Sequence, residues 1–439
     1  MRWIFLLVVL LFWIGVDVYF FQAIKTLFNG DKGKIVRRIY IGLSVLLYAL
    51  IGVSLTFYEH PAALSNKNLV VSTLFIGFIV RLLALPWLIL DDARRLLVWI
   101  NNFVRRQLKS ARNIQNDASK GIPSVERDHE PMDFVDPKST SGITRSEFLS
   151  KAALITASIP LVGLTYGTIR GAYAYTLHRV TLTFPHLPTS FDGFTLLQLS
   201  DMHLGSFGSK RDVRRGIDMA METSPDCVVF TGDLVNNRSD EALPWLSMLK
   251  QIRAPKGVFS ILGNHDYGDY YQWDHPQAKA DNMNLMHQIQ EDAGWTLMRN
   301  EHRFLVKNDD RIAIIGVDNW GSRGRFPKYG DLTAAAHGLS HDTFQILLSH
   351  DPSHFEDLVQ PEFPHIDLTL SGHTHGMQAG IEIPGFVKWS PSSWVYPHWA
   401  GLYKFDKQYL YVNRGFGFLG YPGRLGIWPE ITHITLKKG

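Results

Sequence analysis

The sequence predicts a chain in two unlike parts, a set of N-terminal transmembrane α-helices followed by a C-terminal α/β domain. Three observations carry this reading. Apolar residues crowd the first ninety positions, whereas Asp, His, Gly and Pro concentrate after Ser190. At Arg179 the hydrophobic period becomes two, with Val180, Leu182 and Phe184 alternating with Thr181 and Thr183, as in a half-buried strand. At 439 residues the chain is long enough for two or three units with cores of their own.

Within the first part, the stretches Trp3 to Phe21, Ile39 to Phe57 and Leu69 to Leu90 each approach the roughly 20 residues that cross a hydrocarbon core as helix. Residues 1–90 therefore read as three transmembrane helices. The first stretch resembles a signal peptide, but no small-residue cleavage site follows and further spans come after, so it reads as a retained span. Residues 91–147 divide into an amphipathic basic segment, Asp91 to Ile114, suited to anionic lipid, and a linker, Asn116 to Thr140, punctuated by Pro123, Pro131 and Pro137. Residues 148–170 form a fourth apolar stretch, rich in the Ala, Gly, Ser and Thr that suit helix packing in membranes; the alternative is an interfacial docking helix.

Basic residues set the expected orientation. Lys25, Lys32, Lys34, Arg37 and Arg38 in the first loop, and Arg94, Arg95, Arg105, Arg106, Lys109 and Arg112 after the third span, belong on the cytoplasmic side. Four spans then give a multi-pass cell-membrane protein whose C-terminal half is extracytoplasmic, and three would leave that half inside. Asp17 and Arg81 lie within the first and third spans, where charges are costly; they pair with each other, or each reaches an interface separately.

The second part, residues 179–439, repeats one pattern. Short apolar runs end in polar residues: Leu196 to Leu199 before Asp201-Met202-His203, Val228 to Phe230 before Gly232-Asp233, and Val258 to Leu262 before Gly263-Asn264-His265-Asp266. Ile346 to Leu348 then precede His350-Asp351, and Leu368 to Leu370 precede Gly372-His373-Thr374-His375. The first three are spaced by roughly the 30 residues of a strand, helix, strand unit, with helical character from Lys210 to Met221. Taken singly, each motif reads as an ordinary turn. Together they put imidazoles and carboxylates at the carboxyl ends of several buried strands, where α/β sheets bind ligands and core packing has no use for them.

These residues, Asp201-x-His203, Gly232-Asp233, Gly263-Asn264-His265-Asp266, His350 and Gly372-His373-x-His375, resemble the signature of the calcineurin-like metallophosphoesterases. The resemblance covers about Arg179 to Gly439, and Phe191-Asp192-Gly193 with Gly415 to Arg424 extend it to the membrane-anchored YkuE-like and YaeI-like branch, whose members act on lipid-linked or cell-envelope phosphates. It implies a four-layer α/β/β/α sandwich of two mixed sheets. It also implies two divalent metal ions, Mn, Fe or Zn, with Asp201, His203 and His375 on one, Asn264, His350 and His373 on the other, and Asp233 shared. The implied reaction is in-line attack on phosphorus by a hydroxide held between the metals, with His265 as proton donor and Asp266 either orienting it or acting as a turn carboxylate. Met377 departs from the pattern, since many relatives have a second glycine there, and it narrows the approach to the metals.

Partners follow from chemistry and composition. The expected substrate is a phosphate-containing small molecule or lipid, with membrane lipids as the surroundings. The aromatic C-terminal segment, including Phe386, Trp389, Trp394, Tyr396, Trp399, Phe416 and Phe418, suits either a core or a water–lipid boundary. Arg414 and Arg424 read as structural ion pairs first and phosphate contacts second. A net charge of +3 and the lack of a sustained basic helix call for no nucleic acid, and the sequence identifies no protein partner. The single cysteine, Cys227, sits in an apolar run and reads as a small buried hydrophobe. The competing class is a non-catalytic membrane scaffold or sensor that retains the fold; missing ligands would favour it, and none is missing.

Overall fold

A computed structural model describes residues 2–56, 67–118, 143–324 and 326–439. The chain divides into two compact units, one made of N-terminal helices and the other comprising Leu164–Gly439.

The first unit holds α1 (Arg2–Leu27), α2 (Gly30–Thr56) and most of α3 (Lys67–Ala118) and of α4 (Arg145–Ile169). Among the described residues, Leu10–Leu27, Ser72–Ser110 and Arg145–Tyr173 are long and apolar enough to cross a membrane. The expected span Ile39 to Phe57 ends beyond the described residues, as does most of the expected linker. One boundary differs from expectation. The third span and the basic segment after it form a single helix of 52 residues. Pro86 removes one N–H from the ladder, but no glycine occurs from Phe78 to Ala118 and Asp91 accepts from Arg94 and Arg95, one turn further on, so the helix continues past the end of the apolar run. Asp17 and Arg81 do pair, at 2.6 Å. The same carboxylate oxygen takes the hydroxyls of Tyr40 and Ser44, and Arg81 Nη1 donates to the Gly77 carbonyl, so one buried cluster joins α1, α2 and α3.

The second unit is built on two six-stranded mixed sheets. The first has the order β1 (Thr176–Phe184), β14 (Glu430–Lys438), β2 (Thr195–Leu199), β3 (Cys227–Phe230), β4 (Val258–Ser260), β5 (Thr296–Leu297). Strands β2 to β5 are parallel, and β14 runs against β2. The second sheet has the order β12 (Gly401–Phe405), β13 (Gln408–Val412), β9 (Leu368–Ser371), β8 (Gln345–Leu348), β7 (Asp310–Gly316), β6 (Glu301–Lys307), with β13, β9, β8 and β7 parallel. A small hairpin, β10 (Ile381–Ile383) with β11 (Val387–Trp389), stands outside both.

Apolar layers explain how the sheets stack. Leu196, Cys227, Val229 and Ile261 from the first sheet pack with Ile312, Ile346, Leu368 and Tyr411 from the second. The other face of the first sheet, with Leu197, Leu199, Val228 and Phe230, is covered by α5 (Lys210–Met221) through Val213, Ile217 and Ala220 and by α6 (Pro276–Asp292) through Met286 and Ile289. Leu347, Leu410 and Val412 on the far side of the second sheet pack under Leu332, Ala335, Phe355 and Val359. Strands buried on both faces read as continuous apolar runs, which is why their polar ends stand out in the sequence.

Candidate metal centre

The parallel strands of both sheets end at one rim. Asp201 and His203 follow β2, Asp233 follows β3, Asn264 and His265 follow β4, His350 follows β8, and His373 and His375 follow β9. The backbone there is bent hard: Asp201, His203, Asp233, His373 and His375 all have φ between 48° and 73°, a region side chains seldom occupy. Gly263 and Gly372 allow the close packing, because a Cβ at either would collide with Asp233 Oδ1 or with Ser200 and Asp201 Oδ2 respectively.

Two clusters result. In one, His203 Nε2 and His375 Nε2 lie 3.0 Å apart, and His375 Nε2 is 3.3 Å from Asp201 Oδ1. In the other, His350 Nε2 faces His373 Nδ1, Asn264 Oδ1 and Asp233 Oδ2, each at 3.2 Å. Asp233 Oδ2 is also 3.6 Å from His203 Nε2, so this one oxygen stands between the two groups. All seven side chains converge, and the residues Asp201, His203 and His375, and Asp233, His350 and His373, each offer ligand atoms close enough for one ion.

The surroundings fix which nitrogen faces inward. His350 Nδ1 lies 2.7 Å from the Thr231 carbonyl, a contact only a protonated Nδ1 can make favourably, which leaves Nε2 to the cluster. His373 uses Nε2 on the Tyr396 hydroxyl at 2.9 Å and turns Nδ1 inward. Asp351 Oδ2 stands 3.5 Å from that Nε2 and 3.3 Å from the Tyr396 hydroxyl. Behind His375, the fully buried Arg424 guanidinium lies 3.0 Å from Nδ1 and donates to the Gly415 and Gly417 carbonyls.

The electrostatics call for positive charge at the rim. Burial raises the Asp201 and Asp233 carboxyls, but the facing histidines outweigh it and hold both well below the usual range. Burial would push His350 down, yet Asp233 and Asp201 raise it to about 10. His203, by contrast, is held well down by burial, and its Nδ1 is buried without a hydrogen-bond partner. Imidazole and carboxylate lone pairs gathered this closely, with too few protons to go between them, fit divalent cations of the Mn, Fe or Zn type.

His265 and Asp266 part company. Their adjacency in sequence suggests that the carboxylate orients the ring. Instead Asp266, fully buried, accepts from the backbone N–H groups of Asp233, Leu234, Val235 and Gly263, and so ties the β3 and β4 loops together. Burial and the nearby Asp233 raise its pKa to about 7. His265 takes its orientation from the Asn236 carbonyl, 2.6 Å from Nδ1, and its ring lies 4.6 Å from that of Tyr270. The cleft above, about 370 Å³, is lined by His203, Asp233, Asn264, His265, His373 and His375 and walled by Phe326, Met377, Val395, Tyr396 and Leu419.

Sequence reasoning missed Tyr396, Tyr270 and Asp351. Asp351 directly follows His350 and was within reach of the motif; the tyrosines come from loops with no metal-type neighbours. Arg414 and Arg424 are both structural: Arg414 pairs with Glu382 and Glu430, and Arg424 is buried behind His375. Of the aromatic segment, Tyr396, Trp399, Phe416 and Phe418 are buried, whereas Phe386, Trp389 and Trp394 are exposed.

Comparison with known proteins bears on this geometry. Residues 1–172 match the family described as "Probable Calcineurin-like phosphoesterase, transmembrane domain", and residues 194–377 match "Calcineurin-like phosphoesterase". The chain is 34% identical over 257 residues to "Uncharacterized metallophosphoesterase YkuE" of Bacillus subtilis, a match covering 57% of this chain and 82% of that protein. It is 30% identical over 296 residues to the "Transmembrane protein with metallophosphoesterase domain" of Danio rerio, covering 65% of this chain and 62% of that one. A third relative, "UDP-2,3-diacylglucosamine pyrophosphatase LpxG" of Chlamydia trachomatis, is 29% identical over 287 residues, covering 55% of this chain and 84% of its own length.

Proposed function

Because the chain belongs to the calcineurin-like metallophosphoesterases, hydrolases that act on ester bonds, we propose that it is a membrane-anchored two-metal enzyme cleaving a phosphodiester, phosphomonoester or pyrophosphate. The observation that carries this reading is the position of Asp233 Oδ2 between His203 Nε2 and His350 Nε2, where one carboxylate oxygen serves two ligand sets. On this reading Asp201, His203 and His375 would hold one ion and Asn264, His350 and His373 the other, with the Asp233 carboxylate available to both sets. When bound there, a pair of divalent cations would supply Lewis acidity toward phosphate oxygens and toward water.

The protein's own groups do the rest. His265, with Nδ1 engaged by the Asn236 carbonyl, has Nε2 left to hand a proton to the departing oxygen when the ring is charged. Asp266 is a positioning residue, acting through the loop amides that aim Asp233 and Asn264. Tyr396 and Asp351 keep the Nδ1 of His373 turned inward.

The substrate is a lipid-linked or envelope phosphate. The relative LpxG, named for a diacylated sugar nucleotide, supports that class, as does the apolar wall of Phe326, Met377, Val395 and Leu419 beside the imidazoles. The helix ending at Ile169 belongs to a stretch able to cross a membrane, which supports four spans and an extracytoplasmic catalytic half. The test is to offer the full-length protein, in nanodiscs and loaded with Mn, Fe or Zn, a chromogenic phosphodiester and a panel of membrane-lipid and nucleotide phosphates. Hydrolysis that a chelator abolishes, and that returns with metal, supports the reading; metal-independent or absent turnover across the panel overturns it.

A further inference from the structure

The β10–β11 hairpin is amphipathic with its polarity reversed. Its register pairs Ile381 with Trp389, Glu382 with Lys388 and Ile383 with Val387, and strand side chains alternate between faces. The polar pair is held against the domain: Glu382 meets Arg414 at 2.6 Å, and Lys388 Nζ donates to the Ala400 carbonyl and the Tyr403 hydroxyl. The apolar positions face out. Ile381 and Ile383 are 53% and 51% exposed, Phe386 at the tip is 87% exposed, and Trp394, whose ring lies 5.8 Å from that of Trp389, is 76% exposed. A hairpin whose charged side chains are bonded to its own domain, Lys388 while still exposed, and whose isoleucines and aromatics stand open to solvent is shaped to be covered.

The root of the hairpin indicates what covers it. Leu425 N donates to the Gln378 carbonyl and Gly380 N to the Leu425 carbonyl, at 2.8 and 2.9 Å, which fixes the strand entering β10. The preceding residue, Arg424, donates its N–H to the Gly167 carbonyl at 3.2 Å. Gly167 lies near the end of α4, in the apolar stretch Arg145–Tyr173 that is long enough to cross a bilayer. The junction is tight: the Arg424 carbonyl lies so near Gly167 and Gly171 that neither could carry a Cβ, and Tyr421 bonds to Thr168 and to the Leu164 carbonyl. The hairpin is thus tied, one residue removed, to the end of a helix long and apolar enough to cross a membrane.

We infer that the β10–β11 hairpin and Trp394 form a wedge that inserts into the bilayer surface from which α4 emerges. Exposed Trp, Phe and Ile at that level gain by leaving water for the interfacial region. The consequence for substrate rests on the phosphoesterase reading above. Val395, next to Trp394, and Met377, four residues before Ile381, line the cleft that holds His203, His373 and His375. A phosphate whose apolar chain stays in the bilayer then reaches the metals without leaving the membrane.

The wedge is tested apart from catalysis. Cys227 is buried in the core, so Phe386→Cys in the full-length protein gives a single accessible thiol for an environment-sensitive fluorophore. In nanodiscs its emission should shift to the blue and be quenched by lipids spin-labelled near the headgroup, while the same label at Asp342→Cys stays aqueous. Aqueous emission at 386 would overturn the inference. So would a blue shift without lipid quenching, which would mean that a second copy or another protein covers the patch. For substrate capture, Ile383→Asp with Phe386→Asp should lower hydrolysis of a bilayer-embedded phosphate by about tenfold or more, the scale of one lost buried apolar side chain, and leave a soluble phosphodiester untouched. Equal loss on both substrates would refute the capture role. Inactivity of the parent protein on every substrate would count against the phosphoesterase reading and leave the quenching result to decide the wedge.

Discussion

Two buried polar clusters in this molecule are built to opposite rules. In the helical unit, one carboxylate, Asp17, meets one guanidinium, Arg81, and the hydroxyls of Tyr40 and Ser44 complete the set. Donors match acceptors, and charge sums to zero. At the strand rim, two carboxylates, four imidazoles and an amide oxygen crowd together with more acceptor lone pairs than protons to share among them. A closed cluster of the first kind fastens helices; an open one of the second kind is stable only with positive charge added from outside. The contrast separates a structural ion pair from a site even though both are buried and both are rich in charge.

Breaking the closed cluster gives the largest expected effect. Arg81→Ala leaves Asp17 buried and unpaired, and should cost the helical unit about 3–5 kcal/mol in detergent-titrated unfolding. Reversing both charges together should recover much of that loss. If the double reversal is no better than either single change, the two residues act independently.

Next comes the open cluster. Asp233→Asn removes the shared oxygen's charge, and turnover of a phosphodiester should fall by about 10²–10³-fold, the scale of losing one group that stabilises transition-state charge. Helical-unit stability should not move. A variant retaining half the parent rate would remove Asp233 from the chemistry.

Asp266→Asn sharpens the comparison, because this buried carboxyl is neither in the ion pair nor in the clusters. Each of its oxygens takes two amide N–H groups, and an Asn NH₂ would confront two of them. The loops carrying Asp233 and Asn264 should loosen, lowering metal affinity by about 10–100-fold in a chelator competition. Unchanged affinity with lost stability would make Asp266 purely structural. Smallest is Tyr396→Phe, which removes one hydroxyl from His373 Nε2 and should weaken metal retention by about tenfold, the lower end of that range, with turnover at saturating metal preserved.

Much of this was legible beforehand, for a physical reason. Strands β2, β3, β4, β8 and β9 are buried on both faces, so their apolar runs end abruptly where Asp201, Asp233, Asn264, His350 and His373 begin, and the nine residues singled out there all lie at one rim. Helix α5 likewise spans Lys210–Met221, where the sequence has helical character. What escaped depends on contacts between distant segments. Nothing near Tyr396 announces that its hydroxyl meets His373, and the spacing of His265 and Asp266 suggests a partnership that the loop amides pre-empt. The aromatic tail could not be sorted by composition, because Trp399 is buried by contact with Tyr396, Ala400 and the distant Ile427, whereas Trp394 is exposed. The length of α3 was hidden by its change of polarity, which alters the helix's surroundings without breaking its backbone.

The measurement closest to the central claim is a count of ions. Full-length protein, stripped with chelator and reloaded with Mn, Fe or Zn, should retain two per chain by elemental analysis, and Asp233→Asn should retain fewer. One ion or none in the parent protein, whichever metal is supplied, would contradict the account.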